Sequence, residues 1–333
     1  MVKHIVIVGA GNLGSRHLQA LSNINLKVDI SLIDPNENAL KTAKKLFSKT
    51  LANEKIISIN FYKTLSPINR NVDIAVIATT ADVRRDVIES FIKKVYVKNI
   101  ILEKVLFQKI EDFEPIENLF KNENVNAWVN CPRRMWPFYK QQANDLQESN
   151  VQEVHVSGAS WGLGSNLIHF IDLISFITKK QRYDLKTDLL SKTITQSKRK
   201  GFLELTGTIS GYFEKGPFFT ISSHLQGKNS LTIKIVSESS VINIDEGDLY
   251  KTQKMGRSWI SSINNNWEWE VSSFDIPLQS QLTHLAVQQI LQKNESDLTL
   301  YSESAQLHMP MINGLIEHIK RSNNSSEAIC AIT

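Results

Sequence analysis

From residue 2 to residue 8 the chain runs through closely spaced β-branched residues, breaks at Gly9, Gly11 and Gly14, and resumes with apolar positions at helical spacing through His17, Leu18 and Leu21. A short apolar run, a glycine-rich turn and a 3.6-residue period predict a strand, a tight turn and a helix. The alternation continues. Residues 28–33 form a second β-branched run that closes on Asp34-Pro35 and precedes the helix-like NENALKTAKKLF, and the apolar runs at 72–78 and 99–102 flank the helix-like DVRRDVIESFIKK. Uninterrupted apolar strands alternating with helices predict a parallel sheet covered on both faces. A doubly wound α/β domain is therefore expected over residues 1–125.

Beyond residue 125 the texture changes. A strand at AWVNC leads to a helix near 137–146; VQEVHVSGAS alternates as a strand and SNLIHFIDLISFI reads as a helix. Between 202 and 276, strand-like segments are broken by Gly211, Gly216-Pro217, Gly227-Lys228-Asn229 and Glu246-Gly247-Asp248, which are hairpin signals. A second, α+β domain over residues 126–333 with a largely antiparallel sheet follows, ending in helices near 281–292 and 302–321. Alternation in LTIKIVSESSVINI predicts strands that bury one face.

Composition narrows the function classes. Of 333 residues, 41% are hydrophobic and 22% charged, enough for two globular domains. The net charge of +4 is spread along the chain apart from Lys198, Arg199 and Lys200, which is not a nucleic-acid footprint. Two cysteines, Cys131 and Cys330, match neither a disulfide framework nor a metal-ligand spacing. No stretch has the ~18 apolar residues of a membrane span. A soluble cytoplasmic protein without a metal is expected.

The candidate chemistry begins at VGAGNLG, a G-x-G-x-x-G pattern between a strand and a helix. Gly9 permits the tight turn, Gly11 lets the backbone approach a pyrophosphate, Gly14 allows close helix packing, and the helix start at Asn12 and Leu13 brings amides to the phosphate. Asp34, 20 residues beyond Gly14, is placed to accept hydrogen bonds from an adenosine ribose. The same carboxylate repels a 2′-phosphate, so NAD is favoured over NADP, with Arg16 and Lys41 the cations within reach of a phosphate. Thr79 and Thr80, after the run at 72–78, stand where strand ends face a ligand; an ordinary loop capped by Asp82 is the alternative.

In IILEKVLF, Glu103 and Lys104 interrupt an apolar run at such a strand end, where nicotinamide and substrate would meet, and Glu103 is expected to contact the cofactor. His169 and Asp172, at i and i+3, share one face of an otherwise apolar helix, a polar pair that is either a satisfied core cluster or a functional one. Lys104 or His169 is suited to take the hydroxyl proton of an alcohol as hydride leaves carbon. Arg133, Arg134, Trp136 and Tyr139 in NCPRRMWPFY offer charge and stacking to a substrate; solvated arginines before a Pro-initiated helix are the alternative. Trp161 lies in SGASWGLGSN, expected to be a mobile active-site loop, and Ser304 with His308, at i and i+4, either face the cleft or belong to a structural helix returning across the domains.

Together VGAGNLGSRHLQAL, DIAVIATT, LEKVL and NLIHFIDL resemble, in order and spacing, the glycine loop, third-strand motif, E-K-P motif and H-x-x-D helix of the Gfo/Idh/MocA oxidoreductases. The resemblance implies a Rossmann domain followed by an open, mainly antiparallel sheet domain, action on sugars, cyclitols or their derivatives, and a homodimer or homotetramer. It assigns Lys104, His169 and Asp172 as the catalytic group. NCPRR and SESAQLHMPMINGL resemble members encoded with bacterial surface-glycan pathways, including those for nonulosonic acids. Two positions depart from the family: Arg84 stands where a His is frequent, and Val105 where Pro is usual. A non-proline cis bond costs about 3 kcal/mol, so a trans Lys104–Val105 bond is expected. Transient-NAD elimination, epimerisation or glycoside cleavage, and a non-catalytic metabolite sensor, are the alternatives to net dehydrogenation.

Overall fold

The computed structural model describes residues 1–247, 255–323 and 328–333; Asp248, in the last hairpin signal, lies outside them. In chain order the elements are β1 (Lys3–Val8), α1 (Asn12–Ala20), β2 (Val28–Ile33), α2 (Glu37–Phe47), β3 (Ile56–Tyr62), β4 (Ile74–Ile77), α3 (Arg84–Lys94), β5 (Asn99–Leu102), α4 (Phe113–Asn122) and β6 (Asn126–Val129). The chain continues through α5 (Pro137–Asp145), β7 (Val151–Ala159), α6 (Leu163–Thr178), β8 (Tyr183–Lys186), β9 (Thr195–Gln196), β10 (Leu203–Glu204), β11 (Gly207–Phe213), β12 (Phe218–His224), β13 (Thr232–Ser237) and β14 (Ser240–Asp245). It ends with β15 (Met255–Ser262), β16 (Trp269–Asp275), α7 (Thr283–Lys293), β17 (Thr299–Leu300) and α8 (Tyr301–Asn323).

The first sheet has the order β17-β6-β5-β4-β1-β2-β3. All its pairs are parallel except β17 with β6. Strands β1, β4 and β5 are almost wholly apolar and buried, as expected where helices cover both faces. Strand β3 was not anticipated. It is the sheet's edge, its residues are mostly half-buried, and so it lacks the solid apolar run that marks the central strands.

The second sheet has the order β16-β15-β14-β13-β7-β12-β11-β8 and is antiparallel except between β7 and β12. Its strands alternate: Ile233 and Ile235 of β13 and Ile242 and Ile244 of β14 are buried, while Thr232, Lys234 and Asn243 face outward. The fold class read from the sequence, a doubly wound parallel sheet followed by a mainly antiparallel one, is the class the structure has. The short hairpin β9–β10 stands apart from both sheets.

By compactness the chain forms two units, 1–107 with 111–132 and 278–302, and 108–110 with 133–277 and 303–333. The sequence reading drew one boundary at 125/126. Strand β6 joins the first unit because it pairs with β5, and the segment carrying α7 and β17 returns there because β17 adds to β6 and Thr283 of α7 bonds His17 of α1. Such returns depend on pairing between distant segments, which local periodicity does not carry.

The β1–α1 connection is set by close packing. Gly9 has φ +100°, and a Cβ there would lie 2.9 Å from the Ala78 carbonyl carbon. A Cβ on Gly14 would lie 1.8 Å from the Gly9 carbonyl oxygen, whereas one on Gly11 would meet nothing within 4 Å. Gly14→Ala is therefore expected to lose about 2 kcal/mol or more of stability. Gly11→Ala, at an ordinary φ of −64°, should stay within about 0.5 kcal/mol of the parent, both read from urea midpoints.

Candidate active site

In the first unit the strands end together. The register places Ile33, Val8, Ile77, Leu102 and Val129 in one row across β2, β1, β4, β5 and β6. The ladder runs one residue further, with Gly9 N–H donating to Ile33 O, Ala78 N–H to Val8 O, Glu103 N–H to Ile77 O and Asn130 N–H to Leu102 O at 2.8–3.0 Å. Gly9, Asp34, Thr79, Thr80, Glu103 and Lys104 accordingly emerge at one edge of the sheet, the carboxyl edge where such sheets bind ligands.

The residues at this edge fit a dinucleotide. Asn12 and Leu13 open α1, which no side chain caps, so its amides remain available to an anion. The Asp34 carboxylate is half-buried; Oδ2 accepts from Ala10 N–H at 2.6 Å and Oδ1 from Asn36 N–H at 2.7 Å, which orients it beside the glycine loop. Thr79 Oγ1 is buried without a hydrogen-bond partner among the described residues. The open space at Gly11 is where a backbone can approach a phosphate. Of the two cations raised against a simple NAD preference, Arg16 bonds Gln19 and Lys41 pairs with Glu37.

Lys104 is half-buried directly after β5. Its neighbour Glu103 is 2% exposed and points into the unit, accepting from His17 Nε2 at 2.8 Å and Asn130 Nδ2 at 2.5 Å. Burial would raise the Glu103 pKa, but the hydrogen bond and charge of His17, the charge of Lys104 and the Asn130 amide outweigh it, and the carboxyl is held below its usual range. His17 Nδ1 meets Thr283 Oγ1 at 2.8 Å, so the imidazole links α1, the Lys104 loop and α7.

The Lys104–Val105 peptide bond is cis, which corrects the trans expectation. That expectation weighed only the preference of an isolated bond. In the fold Val105 is fully buried, and the carbonyls of Val105 and Leu106 both accept from Arg84, which also donates to Thr79 O. Arg84, 1% exposed at the start of α3, thus ties the loop after β4 to the loop after β5. Neither His17 nor Arg84 was singled out as a site residue from sequence, and no local signal marks them, since their partners lie 86 and 21 residues away.

In the second unit, His169 is half-buried and Asp172 fully buried, one turn apart on α6. Asp172 Oδ2 accepts from Arg134 Nε at 2.8 Å, and Arg134 Nη2 reaches Glu303 Oε1 at 2.6 Å. Arg133 donates through Nε and Nη2 to both Glu246 oxygens at 2.9 and 2.6 Å, with Tyr139 donating to the same carboxylate. Burial and the Glu246 charge push the Tyr139 phenol well up. Arg133 and Arg134 are therefore not solvated: at 6% and 7% exposed, both are bound in ion pairs inside the unit.

Trp136 is 5% exposed and stacks on Tyr139 at 5.6 Å between centroids. Trp161 is also buried, donating from Nε1 to Ser222 O at 2.9 Å. The stretch read as a mobile loop is instead the end of β7, three linking residues and the start of α6. Trp161 packs edge-on against Phe170, which anchors that link. Ser304 and His308 are buried on α8 as a structural pair. Among the described residues no His, Cys, Asp and Glu cluster of three or more could hold a metal, and no helix is long and apolar enough to cross a membrane.

Residues 3–131 match the family model GFO_IDH_MocA, described as oxidoreductase family, NAD-binding Rossmann fold. A comparison with curated proteins found no match. Among solved structures, an oxidoreductase from Agrobacterium radiobacter in complex with NAD+, L-tartaric acid and magnesium superposes with TM-score 0.71 at 16% identity, covering 95% of this chain and 96% of that one. The WlbA dehydrogenase from Bordetella pertussis, in complex with NADH and UDP-GlcNAcA, gives 0.66 at 16% identity over 98% of each chain. KijD10, a 3-ketoreductase from Actinomadura kijaniata in complex with NADP, gives 0.67 at 12% identity over 92% and 95%. With its glycine loop, Asp34 and Lys104 at one sheet edge, the first unit carries the NAD-binding Rossmann fold of the oxidoreductase family whose model residues 3–131 match.

Proposed function

We propose that the protein is an NAD-dependent dehydrogenase or reductase acting at a secondary alcohol or ketone of a sugar or sugar derivative, with Lys104 as the proton-transfer residue. The observation that carries this reading is the shared carboxyl edge: the glycine loop, Asp34 and the half-buried Lys104 all leave one parallel sheet within the same row of strand ends. A nicotinamide cofactor supplies or accepts the hydride when bound. In the oxidative direction the neutral amine of Lys104 takes the hydroxyl proton; in reduction its ammonium returns a proton to the carbonyl oxygen. Glu103, His17 and Arg84 act through position, fixing the strand end on which Lys104 stands. His169 is proposed to contact substrate, and Asp172, through Arg134, to hold α6 in place. The sugar assignment is supported by neighbours of the same fold, one bound to UDP-GlcNAcA and another a UDP-N-acetylglucosamine 3-dehydrogenase.

The protein is further proposed to work as a homo-oligomer. The outer face of the eight-stranded sheet presents Phe218, Val236, Val241 and Trp259, all half-buried, among polar residues, and a second copy covering it would bury them. Light scattering at micromolar concentration should give at least a dimer; a monomer overturns this.

Lys104→Ala should lower kcat by about 10²-fold or more while leaving NAD affinity within about threefold of the parent, as measured by steady-state kinetics and fluorescence titration. Retention of full kcat removes Lys104 from the mechanism. NAD should raise the unfolding midpoint more than NADP at equal concentration, and Asp34→Ala should reduce that difference by lowering NAD affinity about tenfold. Equal stabilisation of the parent by both nucleotides would overturn the NAD preference.

A further inference from the structure

A cavity of about 400 Å³ lies wholly within the second unit, lined by the start of α6, the β9–β10 hairpin and β12. Its volume is that of a small-molecule site. Ser223 of β12 lines it at 1% exposed, and its Oγ has no hydrogen-bond partner among the described residues. A buried hydroxyl without a partner is destabilising, and a ligand hydroxyl that reaches it relieves that penalty.

Two further polar side chains at the cavity, Glu204 and Asn166, are anchored acceptors. Glu204 Oε1 accepts from the backbone N–H of Gly164 and Leu205 at 2.6 and 3.0 Å, and Oε2 accepts from Ser165 Oγ at 3.1 Å. A carboxylate offers about four acceptor positions, so capacity remains on a side chain whose orientation is already set. Asn166 donates both amide hydrogens, to Trp161 O and Gly162 O at 2.9 and 3.1 Å, which leaves its carbonyl oxygen as an acceptor. Fixed acceptors beside a hydroxyl suit a ligand that donates from several neighbouring hydroxyl groups.

Two further features narrow the ligand. Trp161, the aromatic residue at the cavity, is 3% exposed with its Nε1 committed to Ser222 O, so it presents no open ring face for a nucleobase. Lys198 and Arg199, on the loop between β9 and β10, bring positive charge to the same cavity. A cation beside the ligand favours a carboxylate or phosphate, because hydrogen bonds between ionised groups are the stronger ones.

We propose that this cavity binds a polyhydroxylated carbon skeleton bearing one anionic group, with Ser223, Glu204 and Asn166 engaging hydroxyls and Lys198 and Arg199 engaging a carboxylate or phosphate. Lys104 and His169 do not line this cavity, so the proposal goes beyond the function given above and rests on it only where the ligand is called a substrate. Binding at the cavity is independent of turnover.

Calorimetric titration of the full chain, with and without NAD, uses glucose, glucuronate and glucose 6-phosphate, and the matching N-acetylglucosamine, galactose and mannose sets. In at least one set the acid or the phosphate should bind about tenfold or more tightly than the neutral sugar, and which of the two does so identifies the anionic group. The double variant Lys198→Ala, Arg199→Ala should abolish that preference while keeping affinity for the neutral sugar, and Glu204→Gln should weaken both. Equal affinities throughout, no binding in any set, or a preference that survives the double variant overturns the proposal. Anionic-sugar binding that the double variant weakens, with no change in NADH on any sugar, would leave the cavity standing and remove the dehydrogenase reading. Sugar turnover with a KM unchanged in the double variant would do the reverse.

Discussion

Strands in a parallel sheet cannot distribute their ends: each must finish at the same edge, and the helices that return the chain must start there. In this protein Ile33, Val8, Ile77, Leu102 and Val129 finish in one row, so the residues that follow them are neighbours although they come from five separate segments. Asp34, the glycine loop, Thr79 and Lys104 need no further device to be assembled. The first helix holds the row close by having no side chain at Gly14, where even a methyl group would overlap the Gly9 carbonyl. Inward-facing Glu103 and the buried Arg84 then fix the two loops beside the glycine turn, one through His17 and Asn130 and the other through backbone carbonyls.

The second unit is organised by buried charge. Glu246 after β14 gathers Arg133 and Tyr139, while Arg134 joins Asp172 of α6 to Glu303 of α8. Pairs of this kind add little net stability compared with apolar replacements, but loss of one partner leaves an uncompensated charge inside the protein and costs about 3–5 kcal/mol. Their consequence is positional: the Arg133-Arg134 segment, α6 and α8 are held at a defined rotation. Asp172 is bound to Arg134 before any ligand arrives, which separates its part from that of His169 one turn earlier.

The first sheet was legible because its strands are continuous apolar runs and its turns carry glycines at fixed offsets. G-x-G-x-x-G with Asp34 after the second strand gave the nucleotide edge for the same reason: spacing along the chain there is also spacing in the fold. Strand β3 escaped notice because an edge strand is only partly covered, and its half-buried residues carry no strong period. For Arg133 and Arg134 the sequence offered ligand contact or solvation. Neither is solvated: both close into ion pairs whose partners, Glu246, Asp172 and Glu303, lie 113, 38 and 169 residues away.

The sequence by itself determined the class of both sheets, the glycine turn and the strand end that presents Lys104, all of which follow from local pattern and chirality. Only the tertiary structure decided what the charged residues are for. It turned Glu103 inward to His17, set the geometry of the Lys104–Val105 bond beside Arg84, closed the arginines into ion pairs and folded α7 and β17 back onto the first unit. The physical reason is that a charge is defined by its partner, and a partner many residues away leaves no mark on local periodicity.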